Sequence, residues 1–182
     1  EIICDLYHVD QENIHLAHQC IPKLYAITDA ISASGMPDGN YDFANTKITK
    51  KNGQALINST VLAGSVINMH DTFKNLVKIN FSLEKAVAMT SFHAAQYLSE
   101  DNKGKIDRGF YSNLIVLDKQ LNIKEVYLYG NLISWVIVKF LKKHLDSIII
   151  ISKFYPWIIR YNKFKGLNLD NPRYFTKVTR TL

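Results

Sequence analysis

The feature that most constrains the fold is an apolar segment, a capped helix and a second apolar segment within the first 29 residues. Residues 1–4 are mostly apolar, and Asp10 precedes a helical stretch over 11–19 that Pro22 ends. An acidic side chain before a helix favours its start, and proline stops it. Residues 23–29 then have the composition of a buried strand. Strand, helix and strand in this order predict a parallel pair joined by a crossover, and so an α/β fold.

Composition divides the chain in two. The 182 residues are 47% hydrophobic, which suffices for one domain with a core. Residues 1–133 carry 12 Lys and Arg against 14 Asp and Glu, whereas residues 134–182 carry 10 against 2 and hold both tryptophans. The first part therefore has a net charge of −2 and the second +8. We treat 134–182 as a separate basic, aromatic tail.

Two cysteines and an N-terminus without a basic region and apolar run favour a reducing, cytoplasmic location. Because the predicted first strand starts at the first residue, we also expect a fragment. Between the apolar segments, Asn52-Gly53 predicts a type I′ turn in a hairpin within 41–60. Residues 62–65 are predicted to open a helix, and residues 113–118 and 126–129 to form strands.

Polar side chains follow the two apolar segments. Asp29 comes at the end of the second, and His8 follows the first, so a parallel arrangement would place both at one edge. The alternatives are a turn or capping aspartate and a surface-loop histidine. Residues 62–65 could hold an anion at a helix start, or be a plain N-cap.

Four other histidines offer weaker signals. His15 and His18 lie three residues apart, a spacing that suits a metal, but the sequence shows no convincing third ligand. A polar helix face is the alternative. His70 and His93 have no partner nearby in the sequence, and we interpret both as structural.

Several motifs together resemble the N-acetylglucosamine-6-phosphate deacetylase family of the amidohydrolase superfamily. The resemblance covers about residues 1–133 and corresponds to the C-terminal half of the family. Each motif alone is weak, but their order and spacing are specific. They are DLYHVD (5–10), KLYAITDA (23–30), GMPDG (35–39), LAGS (62–65), NLV (75–77), SLEKA (82–86) and GKI (104–106).

The resemblance implies a partial (β/α)₈ barrel, comprising its last strands and helices, over residues 1–112. A complete barrel typically needs about 250 residues. Residues 113–133 would add strands to a small β-sandwich, and 134–182 match nothing in the family. The family usually has glycine where Leu6 stands; if that position needs a positive φ, leucine strains the loop.

The resemblance also implies roles for individual residues. Asp29 would be the catalytic carboxylate, which takes a proton from the attacking water and passes one to the departing amine. The sugar phosphate would lie against two loops. The lining residues are Asp5, Leu6, Tyr7, His8, Leu62, Ala63 and Gly64.

The implied cofactor is a divalent metal, zinc in most family members, whose ligands come from earlier strands that this sequence lacks. The chain alone is then expected to be inactive. It would be a sugar-phosphate-binding remnant, one half of a split enzyme that pairs with an N-terminal half, or part of a homodimer. A further alternative is that the basic tail binds nucleic acid or an anionic membrane. The competing interpretation is that the tail is a non-native extension.

Overall fold

A parallel strand pair with a helical crossover begins the fold. The computed structural model describes residues 1–133 of the protein. Strand β1 (Ile2–Ile3) pairs in parallel with β2 (Ala26–Ile27), and helix α1 (Gln11–Cys20) connects them. Oδ1 of Asp10 accepts a hydrogen bond from the Asn13 N–H at 2.8 Å, so this aspartate is the N-cap. The predicted crossover is confirmed.

A four-stranded antiparallel sheet follows in simple chain order. Its strands are β3 (Gly39–Phe43), β4 (Thr46–Lys51), β5 (Gln54–Ile57) and β6 (Val61–Gly64). Asn52 and Gly53, both with positive φ, connect β4 to β5, as the type I′ prediction requires. The hairpin is therefore confirmed, but it is the centre of a wider sheet.

The prediction that residues 62–65 open a helix is wrong. Leu62 to Gly64 belong to β6, and the next helix, α2 (Met69–Lys78), starts after the N-cap Asn68. The N–H of Ser65 donates to the carbonyl of Asp29 at 3.2 Å, so this N–H is bonded in strand pairing and is not a free group at a helix start. Small residues resemble a helix start locally, but long-range strand pairing decides their conformation.

That pairing extends the parallel arrangement to a third segment. Ala30 and Ser65 form a parallel bridge, and the Ile31 N–H donates to the Ser65 carbonyl at 2.9 Å. The chain just after β2 therefore runs beside the chain just after β6. Residues 2–3, 26–31 and 65 form three neighbouring parallel segments.

The helices after β6 cover this layer. Thr72, Phe73 and Leu76 of α2 are buried. Ser82 caps α3 (Leu83–Val87), which continues through a π-helical turn (Ala88–Phe92) into α4 (His93–Tyr97). Ala86 and Met89 are buried against this layer, whereas Val87 is 45% exposed.

Two groups of apolar side chains form the core. The larger lies between the parallel strands and the helices, and the smaller lies against the four-stranded sheet around Ala33, Ile48 and Ala55. The larger contains Cys4, Ile14, Leu24, Ala26, Phe73, Leu76, Ile79, Phe81, Ala86 and Met89.

The last described element is a three-stranded antiparallel sheet: β7 (Leu114–Leu117), β8 (Ile123–Leu128) and β9 (Asn131–Leu132). It includes both strands predicted for this region. Within residues 1–133 the sheets do not close into a barrel, and no helix has the length and apolar character needed to cross a membrane. The predicted basic tail, 134–182, lies outside the described residues.

Candidate active site

A buried carboxylate and a histidine form a hydrogen-bonded pair in the loop that follows β1. Nδ1 of His8 lies 2.7 Å from Oδ2 of Asp5. The other oxygen, Oδ1, accepts the backbone N–H of Tyr7 and of His8, each at 3.0 Å. Burial by itself raises the pKa of Asp5, but these backbone and side-chain hydrogen bonds outweigh it and lower that pKa below its usual value. Asp5 is therefore ionised at neutral pH.

The loop that carries this pair is strained at Leu6. Its φ is 66°, in the left-handed region that glycine adopts without cost. The condition under which leucine strains this loop, a positive φ at position 6, is therefore met. Next to it, the Tyr7 hydroxyl donates to the carbonyl of Asn52 at 3.2 Å, which joins the loop to the tip of the β4–β5 hairpin.

Asp29 lies on the exposed side of the neighbouring strand end. Its φ is 45°, a left-handed conformation that aspartate tolerates better than most residues. Its carbonyl accepts the Ser65 N–H, which fixes the backbone. Among residues 1–133 its carboxylate has no hydrogen bond or ion pair, so it is available to a substrate.

Strand register places the two carboxylates at the same edge. Ile3 pairs with Ile27, and Asp5 and Asp29 each follow these partners by two residues. The predicted convergence of Asp29 and the His8 loop at one end of parallel strands is thus supported by the pairing.

The third predicted segment reaches this edge through β6. Ala63 is an extra residue in the β5–β6 ladder, since Leu62 pairs with Leu56 while Gly64 pairs with Ala55. Such a bulge redirects the strand and is frequent near active sites. Ser65 then pairs with the backbone around Asp29, which brings residues 62–64 beside the catalytic candidate.

The remaining candidate histidines serve packing. Nε2 of His15 lies 2.7 Å from the Ile79 carbonyl, and its ring stacks on Phe81. Nε2 of His70 lies within hydrogen-bond distance of the Leu121 carbonyl, and Nδ1 of His93 of the Leu24 carbonyl. These contacts confirm His70 and His93 as structural. The ring of His18 packs edge-on against Phe81.

The described residues do not make a metal site. No group of three or more His, Cys, Asp or Glu side chains comes together within residues 1–133. At the strand edge, Nδ1 of His8 is bonded to Asp5, which leaves Nε2 of His8 and the carboxylate of Asp29 as potential ligands, fewer than the three side chains that a catalytic metal site usually has. A divalent metal at this edge would need ligands from residues beyond those described.

Sequence reasoning missed two residues that hold the loops around the candidate site, Asn52 and Lys50. Asn52 was predicted as a turn residue, but nothing local indicated its contact with Tyr7, 45 residues earlier. Lys50 is buried on β4, and its Nζ donates to the carbonyls of Ala33 and Met36. It therefore ties the loop after Asp29 to the four-stranded sheet. The only signal in the sequence was that Lys50 lies in a strand whose side chains alternate between exposed and buried, at a buried position.

Comparisons with known proteins give a family that agrees with the parallel layer and the carboxylate at its edge. The chain belongs to the amidohydrolase family, whose model matches residues 7–146. Members of this family generally bind a divalent metal.

Within that family, the chain is similar to deacetylases of phosphorylated amino sugars. It is 30% identical over 135 residues to N-acetylglucosamine-6-phosphate deacetylase of Lysinibacillus sphaericus, which covers 72% of this chain and 35% of the relative. It is 30% identical over 138 residues to N-acetylgalactosamine-6-phosphate deacetylase of Escherichia coli O157:H7, covering 74% and 37%.

A solved structure gives the same result. The crystal structure of N-acetylglucosamine-6-phosphate deacetylase from Thermotoga maritima matches with a TM-score of 0.66 at 27% identity, covering 72% of this chain and 37% of that chain. The chain thus spans just over a third of the length of these relatives. The resemblance inferred from the sequence motifs is confirmed.

Proposed function

We propose that this chain forms the C-terminal part of the active site of an N-acetylglucosamine-6-phosphate deacetylase, with Asp29 as the proton-transfer residue. The observation that carries the proposal is the position of Asp29, exposed and unpaired among residues 1–133, at the same strand edge as the His8–Asp5 pair. The similarity to deacetylases of known structure supports it.

In the proposed reaction, water attacks the acetamide carbonyl and the carbon–nitrogen bond breaks. Asp29 accepts a proton from the attacking water and delivers it to the departing amine nitrogen. The products are acetate and glucosamine 6-phosphate. The carboxylate suits this task because no described residue competes for its oxygens.

The loop over 5–8 and the bulged segment over 62–64 are proposed to line the sugar-phosphate site. His8 presents a partly exposed ring, and Ala63 lies outside the regular ladder, so its backbone groups are candidates for substrate contacts. A relative named for N-acetylgalactosamine 6-phosphate makes that epimer the second substrate to test.

The metal, proposed to be zinc, does not fit the described residues by themselves. We therefore propose that activity requires a complementing N-terminal half, in a cytoplasmic setting where sugar phosphates occur. The described part of the chain would then correspond to the last strands of a (β/α)₈ barrel with β7–β9 in a β-sandwich. Without that half, the chain would bind the sugar phosphate without turnover.

The test is acetate release from N-acetylglucosamine 6-phosphate by the full chain with zinc, alone and mixed with the N-terminal part of the Lysinibacillus sphaericus relative. We expect turnover only in the mixture, and a loss of about 10²–10⁴-fold in Asp29→Asn, as for other general acid–base residues. The matched control is Asp42→Asn, an exposed carboxylate on β3.

Each outcome is decisive for one part of the proposal. Equal turnover by Asp29→Asn and the native chain would overturn the role of Asp29. Turnover by the chain alone would overturn the need for a second half. Calorimetric binding of the sugar phosphate without turnover in any mixture would favour the binding remnant.

A further inference from the structure

The buried carboxylate of Asp5 has every hydrogen-bonding contact inside the protein. Its side chain is 5% exposed, Oδ1 accepts two backbone N–H groups and Oδ2 faces Nδ1 of His8 at 2.7 Å. A carboxylate held in this way has little remaining capacity to accept hydrogen bonds from a substrate. The sequence motifs placed Asp5 among the lining residues, but its geometry supports a different task.

We infer that Asp5 is a positioning residue that fixes the tautomer and the orientation of the His8 ring. An ionised carboxylate only accepts hydrogen bonds, so Nδ1 of His8 must carry the proton between them. In the neutral ring the second nitrogen, Nε2, then bears a lone pair. Asp5 thereby determines which hydrogen bond His8 offers to a ligand.

Nε2 is the nitrogen that remains for a ligand. It has no hydrogen-bond partner among residues 1–133, and the His8 side chain is 21% exposed. In the neutral ring it accepts a hydrogen bond, which suits a sugar hydroxyl. The contact with a sugar rests on the proposed function, whereas the tautomer rests on the Asp5 geometry alone.

The surrounding loop is built to hold the carboxylate in place. The backbone bonds from Tyr7 and His8 close a tight turn around Asp5, and Leu6 takes the left-handed conformation that this turn demands. The Cys4 carbonyl just before it accepts the Nδ2–H of Asn75 at 3.0 Å. The ring and the carboxylate therefore sit on a loop fixed from both sides.

The test is the ring-nitrogen NMR spectrum of the ¹⁵N-labelled full chain above the pKa of histidine, with His8→Gln used to assign the His8 signals. We expect a protonated Nδ1 and an unprotonated Nε2. In Asp5→Asn the side-chain oxygen can keep the two backbone bonds while the amide donates to Nδ1, so the protonation should invert to Nε2.

A native His8 protonated at Nε2, or a tautomer unchanged by Asp5→Asn, would overturn the inference. If Asp5→Asn does not fold, the native spectrum alone still decides, since it reports the tautomer directly. Neither reading depends on acetate release. Failure of the proposed function and failure of this inference are therefore distinguishable.

Discussion

A Cβ atom placed on Gly64 would lie 2.5 Å from Cγ2 of Ile31. The two residues belong to neighbouring parallel segments, and the φ of Gly64 is 146°, which side chains rarely adopt. Glycine at this position lets the chain after β6 approach the chain after Asp29. The candidate site therefore depends on this close contact.

We expect Gly64→Ala to destabilise the chain by roughly 2–4 kcal/mol, because the added methyl group combines backbone strain with overpacking. Urea unfolding of the full chain measures this. Gly35→Ala is the matched control, since Gly35 has a φ of 76° but nothing within 4 Å of the added Cβ. The contact with Ile31 would be unimportant if both variants lost the same stability.

Alanine is normally more stabilising than glycine inside a helix, but at Leu6 we expect glycine to give the more stable protein. Leu6→Gly and Leu6→Ala lose similar packing, but only glycine relieves the left-handed strain, so we expect Leu6→Gly to be more stable by about 1 kcal/mol. Ala17→Gly, inside α1, should instead cost about 1 kcal/mol. Thermal unfolding of the three variants checks this. Equal stability of the two Leu6 variants would contradict it.

The two cysteines should differ greatly in reactivity. Burial, with a smaller contribution from the charge of Asp5, raises the pKa of the Cys4 thiol to about 12, whereas Cys20 is exposed. From an ordinary value of 9.0 this lowers the thiolate fraction of Cys4 about a thousandfold. A disulfide reagent should label one thiol in the native chain and two in denaturant. Rapid labelling of the native Cys20→Ser variant would contradict this expectation.

Stability should fall in mildly acid solution because of His18. Burial lowers the pKa of His18 below 6.5, and the charges of Lys85, His93 and His15 lower it further. The folded state then favours the neutral ring, so this stabilisation is present above 6.5 and is lost as the pH falls through the folded-state pKa.

The melting temperature measured from about pH 7.5 down to 5.5 should therefore decrease, because this range spans the ordinary histidine pKa. His18→Gln should flatten the curve, and Lys85→Gln should flatten it in part by removing one repelling charge. An unchanged slope in His18→Gln would assign the effect to another group.

Local chemistry made much of the framework predictable. The caps at Asp10 and Ser82 and the Asn52-Gly53 turn depend on contacts within four residues, which a sequence displays directly. The strand–helix–strand order likewise sufficed to predict the parallel crossover, and the order and spacing of several motifs pointed to the family.

The sequence by itself thus determined the start of α1, the hairpin turn and the two strand ends that carry Asp29 and His8, but not the start of α2. Only the tertiary structure decided that residues 62–64 form a bulged strand beside Asp29, and that Tyr7 reaches Asn52 across 45 residues. Only the tertiary structure showed that both oxygens of the Asp5 carboxylate are hydrogen bonded within its own loop. The physical reason is that strand pairing and burial join residues distant along the chain, and these contacts override local preference.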